Sequence, residues 1–297
     1  MNAVDTDRLV ELIQLRPETP DGESNSVKIT HDIVDQGTPL EVVSMRNAIL
    51  MGMQPLRAVF DDDIKIRRLS YEGGTWMTDS PQEVSQMIEP LDELYGDVLV
   101  GGLGLGVFTH LLSLQDDVSE VTTVERDQNI IDLVDKHIVT DEIVCNDLFE
   151  FLKNTPDGRY ESGFFDIWQP TGEMVWANYV VPLRRLARDC VTDLWCWNEI
   201  EMEGQIRMNI APHALLEKPA YDGYHRVFQS VAQDTGIVKE TFDTKKPDDM
   251  LKIHAAAHAN DDLRHLVEQF LLVCDEEWEE IFGEAWDREY PDQPKRS

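Results

Sequence analysis

The sequence of 297 residues predicts an α/β fold: a doubly wound, mainly parallel sheet with a small β-rich leader ahead of it and a helical extension behind it. Three observations carry this expectation. Between residues 97 and 199, five short apolar runs alternate with segments of helical spacing, as strands do when helices cover both faces of a sheet. Residues 27 to 77 hold strand-like runs broken by Gly, Pro and Asp. From residue 211 onward the apolar spacing is helical.

In chain order, TDRLVELIQL at residues 6–15 reads as a short amphipathic helix, and RPETPDGESNS after it as a linker rich in Pro, Gly and Ser. VKITHDIV, PLEVVSM, LRAVF and DIKIRRL are the strands of an antiparallel leader, within which SMRNAILMGM equally reads as a helix capped by Ser44. Asp79-Ser80-Pro81 is a helix start, with a cap, a proline in the first turn and Glu83 behind it, leading into QEVSQMIEPLDEL. There follow DVLVGG, a helix at 106–115, EVTTVE, a helix at 128–138, EIVCND, a helix at 148–154, SGFFDIW, a helix at 174–190, and DLWCWNE. The expected domains are 1–77, 78–210 and 211–297, the last packed on the core. A doubly wound sheet binds its ligand outside the carboxyl ends of the strands, at the topological switch point, so the residues that close these strands are the first functional candidates.

Composition narrows the classes. No run of about 18 apolar residues is present and the first residues are acidic and amphipathic, so a soluble cytoplasmic protein with neither membrane span nor signal peptide is expected. Cys145, Cys190, Cys196 and Cys274 form no CxxC pair and read as buried reduced thiols. The formal charge of −32 is spread along the chain, which disfavours nucleic acid as a partner at moderate salt. Arginine outnumbers lysine, so adaptation to a salty interior explains the charge equally well. In molar salt, with a Debye length of about 3 Å, the objection to nucleic acid weakens. A small or cationic substrate is the expected partner; the oligomeric state stays open, a homodimer among the states allowed.

DVLVGGLGLGVFTHLL, at 97–112, is a strand, a glycine turn and a helix start. Turns of this kind serve nicotinamide dinucleotides, S-adenosylmethionine (AdoMet) and decarboxylated AdoMet. A dinucleotide turn of G-x-G-x-x-G needs a third glycine where Val107 stands; the spacing here is Gly102-x-Gly104-x-Gly106. AdoMet needs backbone near its methionine part and a carboxylate for its ribose diol. Glu125, closing EVTTVE, is that carboxylate, and hydrogen bonds to a charged group contribute about 1.5–3 kcal/mol. The plain alternative is that Glu125 faces solvent ahead of the helix cap Asp127. Asp147 is a candidate for the adenine amino group, against an equal reading in which Asn146 or Asp147 caps the helix LFEFLK.

GGTWMTD leading into a helix, VLVGGLGLG, VTTVERDQNIIDLV, NDLFEFL and YESGFFDIWQP, in this order over about residues 72–200, resemble the Rossmann-like class I AdoMet-dependent methyltransferases, and within them the branch similar to spermidine synthases. The resemblance implies that the turn of Gly102, Gly104 and Gly106 contacts the amino-acid part of AdoMet, that Glu125 binds ribose and that Asp147 lies beside adenine. It implies also that Asp166, in FFDIWQP, faces the reacting centre as a base or as an acceptor for an amine. Three departures qualify it. Val100 stands where methyltransferases often carry an acid; Leu105 and Gln169 stand where aminopropyltransferases usually carry aspartates. Methyl transfer therefore leads and aminopropyl transfer is second.

Methyl transfer is an in-line displacement, for which a protein supplies positioning, desolvation and a base. Asp166 is the candidate base. Trp168 and Trp176 are candidates to wall the methyl donor, although packing suffices for each. Trp168, Gln169 and Glu199 are the substrate-rim candidates, Glu199 being equally readable as acidic surface. His254 and His258 are four apart in HAAAH, with His265 beyond, but no Glu follows the first as in HExxH, and no metal site is expected. A non-catalytic module of the same fold, acting through its helical C-terminus, is the alternative from another class.

Overall fold

The computed structural model describes residues 5–44, 48, 54–169, 175–199, 201–202 and 204–205. The helices expected beyond residue 210, the HAAAH segment, Cys274 and nearly all of SMRNAILMGM lie outside them. The described residues fall into two compact units, one holding 5–44, 54–169 and 186–197, the other 48, 175–185, 198–199, 201–202 and 204–205.

The first unit contains the expected parallel sheet. Its strands are β7 (Gly96–Gly101), β8 (Val118–Glu125), β9 (Glu142–Cys145), β10 (Tyr160–Phe165) and β11 (Val191–Cys196), in the order β11-β10-β7-β8-β9, all parallel. Counted within the sheet this order is 5-4-1-2-3, the doubly wound arrangement, with its switch point between β7 and β10. The apolar runs become strands because both faces are covered: Val98, Leu99, Val100, Val121, Val124, Phe164 and Phe165 are all buried. The covering helices include α4 (Val107–Leu112), α5 (Gln128–Val134) and α6 (Leu148–Lys153), each shorter than the spacing predicted. In α5 the last turn tightens into a 3-10 turn, Asp135–His137.

The leader is a four-stranded antiparallel sheet in the order β1-β2-β5-β6, with β1 (Gly22–Ser24), β2 (Val27–Val34), β5 (Ile64–Tyr71) and β6 (Gly74–Thr78), beside a separate pair, β3 (Leu40–Val43) and β4 (Leu56–Ala58). Two corrections arise here. The predicted linker RPETPDGESNS contains β1, which folds back on β2 through a tight turn at Asn25, φ 51°. Asparagine tolerates this left-handed conformation, and turn chemistry in a polar segment hid the strand. Likewise GTWMT is β6, paired to β5 across Glu72-Gly73, both at positive φ, a two-residue hairpin turn.

Helix α1 (Thr6–Leu15) forms as predicted, capped by Asp5. The single helix expected over QEVSQMIEPLDEL is two, α2 (Pro81–Ser85) and α3 (Ile88–Glu93). Pro90 explains the break: it has no N–H to offer the carbonyl of Gln86. Ser80 caps α2 by accepting from the Glu83 N–H, as predicted.

Asp79, fully buried ahead of α2, is the knot that holds leader to helix. Its Oδ2 lies 2.7 Å from the Arg67 guanidinium, and its Oδ1 lies 2.9 Å from Arg16 and accepts from the Arg67 backbone N–H. Arg16 and Arg67 spend further donors on the carbonyls of Ile13, Lys65 and Thr19. Burial pushes the Arg16 guanidinium below its usual range. Charges so removed from water must be fully paired, and these are.

In the second unit a π-helical turn, Trp176–Val180, runs into α7 (Val181–Ala187), where a continuous α-helix over 174–190 was predicted. No helix among the described residues is long and apolar enough to cross a membrane.

Candidate functional site

The glycine turn leaves β7 at the switch point, between the ends of β8 and β10. Gly101 accepts from the Asp166 N–H at 2.7 Å, and Gly102 donates to the Val124 carbonyl at 2.8 Å, so the turn is stitched to both neighbours. Gly102 has φ +95°, and a Cβ there would run into the Asp166 carbonyl. Gly104, at φ +52°, is covered by Met77 from the end of β6, and a Cβ would strike its sulfur. Any side chain at either position must deform a neighbour as well as adopt a strained backbone. Gly106 is the left-handed cap of α4. Leu103 and Leu105 turn inward, and below them Phe108 stacks on Phe164 with ring centroids 3.8 Å apart. Thr109 and Thr123, 3.0 Å apart, join α4 to β8.

Glu125 ends β8 with 8 % of its surface exposed. Oε2 accepts from the Leu103 N–H at 3.0 Å, inside the glycine turn, and Oε1 from the Asp127 N–H at 2.8 Å. Each carboxylate oxygen accepts two hydrogen bonds, so one acceptor position on each remains. That is the requirement for holding two neighbouring hydroxyls.

Asp147 is exposed and caps α6, one oxygen accepting from Phe149 at 2.9 Å and Glu150 at 3.2 Å. Of its two sequence readings the cap is the one seen here. Its second oxygen has no bond to the described residues.

Asp166 follows β10, half-buried, on the far side of the turn from Glu125. No group among the described residues donates to its carboxyl. Burial, followed by the nearby carboxyl of Glu83, raises it from 3.8 to about 8. Glu83 is itself pushed up, chiefly by burial and against the hydrogen bonds it accepts from Thr78: N–H at 3.1 Å and Oγ1 at 2.5 Å. No cation among the described residues pairs with Glu83, Glu125 or Asp166.

Trp168 is buried just beyond Asp166. Gln169 is exposed, and its amide donates to the backbone carbonyls of Thr75 and Trp76, tying the β10 exit to β6. Glu199 belongs to the second unit, where the Arg184 guanidinium holds it at 2.6 Å; the rim role proposed for it competes with that ion pair. Trp176 is buried in the same unit. No group of metal-ligating side chains occurs among the described residues.

The structure therefore gathers Gly102, Gly104, Glu125 and Asp166, with Trp168 beside them, at one sheet edge. Sequence reasoning missed Met77, which covers Gly104, and the proximity of Glu83 to Asp166. Ser80-x-x-Glu83 signalled a cap, but the direction of the Glu83 carboxyl depends on the hairpin that brings Thr78 to it. The residues present fit a nucleoside with a vicinal diol: a closely packed glycine turn and, beside it, one acceptor position left on each oxygen of Glu125.

No family model matches this chain, and no curated protein matches it. Among solved structures it is similar to the spermidine synthase of Thermotoga maritima, at 13 % identity and a TM-score of 0.31 over 59 % of this chain and 53 % of that one. The chain thus spans about half the length of that enzyme. It is similar also to the 23S rRNA methyltransferase ErmE, at 14 % identity and a TM-score of 0.30 over 58 % of this chain and 96 % of that one. A third is MNMC2 from Aquifex aeolicus, at 10 % identity and a TM-score of 0.29 over 92 % of this chain and 93 % of that one. The fold assignment rests on the sheet order itself.

Proposed function

We propose that this protein binds AdoMet at the carboxyl edge of its parallel sheet and transfers the methyl group to a small or cationic acceptor, with Asp166 taking the acceptor's proton. The supporting observation is the meeting, at one switch point, of the Gly102 to Gly106 turn, a carboxylate with one acceptor position left on each oxygen, and an Asp166 carboxyl to which no described group donates. AdoMet supplies an electrophilic methyl carbon on a sulfonium. Gly102 and Gly104 present backbone to its amino-acid part, Glu125 accepts from the ribose hydroxyls, and Trp168 helps keep water from the β10 exit.

Asp166 does the proton work. A carboxyl poised near pH 8 is a stronger base, once ionised, than an ordinary aspartate, and no cation among the described residues pairs with it. With AdoMet bound, the acceptor would displace the sulfide from the methyl carbon, and its proton would pass to a carboxylate oxygen of Asp166. A second reading, aminopropyl transfer, draws support from Glu83, a second carboxyl close to Asp166.

Thermal shift separates these readings. In low and molar KCl, AdoMet or S-adenosylhomocysteine at a hundred times its dissociation constant should add about 2.7 kcal/mol of stability, and NAD nothing. A response to decarboxylated AdoMet alone would replace methyl with aminopropyl transfer. Silence towards every nucleoside in both salts would leave a non-catalytic module.

A further inference from the structure

The β1–β2 turn reaches the candidate ribose acid through an unbroken set of hydrogen bonds. Ser24 Oγ donates to Asn129 Oδ1 at 2.9 Å, and Asn25 Nδ2 donates to the same oxygen. Asn129 in turn donates to Asp127 Oδ1 twice, from its backbone N–H at 2.9 Å and from Nδ2 at 2.8 Å. Asp127 donates its own N–H to Glu125 Oε1. The orientation of the Asn129 amide is fixed by its neighbours. Reversed, it would aim its oxygen at the Asp127 carboxylate. The oxygen of Asn129 is filled by its two partners, and Asp127 Oδ1 by its own two. Beside this network β1 lies against α5, so closely that a Cβ on Gly22 would come within 2.9 Å of Leu133 Cδ2.

The Asp127 N–H takes one acceptor position on Glu125 Oε1 and so directs the carboxylate and the position left on that oxygen; the direction of that N–H depends on where the start of α5 is held. From this we infer that Asn129, clamped by Ser24 and Asn25, is a positioning residue for recognition of the ribose diol, so that the leader sheet forms part of the nucleoside site. The inference rests on the reading of Glu125 given under Proposed function.

Adenosine and dideoxyadenosine, which lacks both ribose hydroxyls, test it by calorimetry. The variants are Glu125→Gln, Asn129→Asp, which sets a carboxylate against that of Asp127, and Asn25→Gly, which keeps the left-handed turn and removes the donor. Thermal melts of each confirm that it folds. We expect Asn129→Asp to weaken adenosine about tenfold, Asn25→Gly to weaken it a few-fold, and dideoxyadenosine to bind all variants alike. Equal losses for both ligands would mean that Asn129 acts on the fold alone, and would overturn the inference. It would be overturned also if Glu125→Gln lost its preference for the diol while Asn129→Asp and Asn25→Gly kept theirs. If Glu125→Gln itself discriminates like the unmodified chain, the fault lies with the assignment of Glu125, and both readings fall.

Discussion

Asp79 and Asp166 both lie within the first unit, one just past β6 and the other just past β10, yet their surroundings differ. Asp79 has a guanidinium at each oxygen and a backbone N–H besides. Asp166 has no donor at all among the described residues, and the charge that faces it is the like charge of Glu83. A buried carboxylate with full pairing holds structure together, whereas Asp166, which no described residue pairs, keeps its proton until about pH 8. The contrast separates the two roles among acids that composition alone could not tell apart.

The sharpest way to break the contrast is to unpair the knot. Among the described residues, Asp79→Asn leaves the buried Arg16 without a salt-bridge partner and Arg67 with only the exposed Glu18, 3.2 Å away, and should cost about 3–5 kcal/mol in urea unfolding. A loss under about 1 kcal/mol would mean that water and the existing Glu18 contact suffice for the arginines, and that the knot is worth no more than a surface pair.

Asp166→Asn should do the opposite, cutting turnover on an identified acceptor by about a hundredfold or more while sparing affinity for S-adenosylhomocysteine. It should also change the pH dependence of stability. Between its ordinary 3.8 and about 8, the native Asp166 holds a proton that the unfolded chain has released. Stability from this site therefore falls across that window as pH rises and is level above it. Asp166→Asn should flatten the fall, and urea midpoints from about pH 5 to about pH 9 would read it. A slope unchanged by the substitution would return Asp166 to an ordinary solvated carboxylate.

The smallest effect belongs to an exposed pair. Arg68 and Asp32 lie 3.0 Å apart with both side chains largely in water, and Asp32→Asn should move stability by no more than about 0.5 kcal/mol, an effect that vanishes in molar KCl. The cost of Asp79→Asn should persist at that salt, because water and ions do not reach the knot. For the unmodified chain, relief of the −32 charge should raise the melting temperature up to molar KCl.

The five parallel strands, the turn at Gly102 to Gly106, and the positions of Glu125 and Asp166 at strand ends were legible because each is a local matter. An apolar run bounded by glycine must be buried, and what closes it must lie at the sheet edge. Where the pattern misled, a local signal was outweighed. Pro90 divided an apparently continuous helical face, and turn residues at Asn25 and Glu72-Gly73 folded short polar segments into β1 and β6. Asp147 carried two local meanings, and the sequence had no means of choosing between them.

The sequence by itself determined that a parallel sheet covered by helices would form and which acids close its strands, since periodicity and glycine placement act over a few residues; the strand order and the place of the switch point came from the tertiary pairing. Tertiary structure alone decided which acids meet arginines, which face another acid, and that Met77 and Asn25 reach a turn and a helix far along the chain. The physical reason is that a charge is governed by what lies within a few ångströms of it, and those neighbours come from segments distant in sequence.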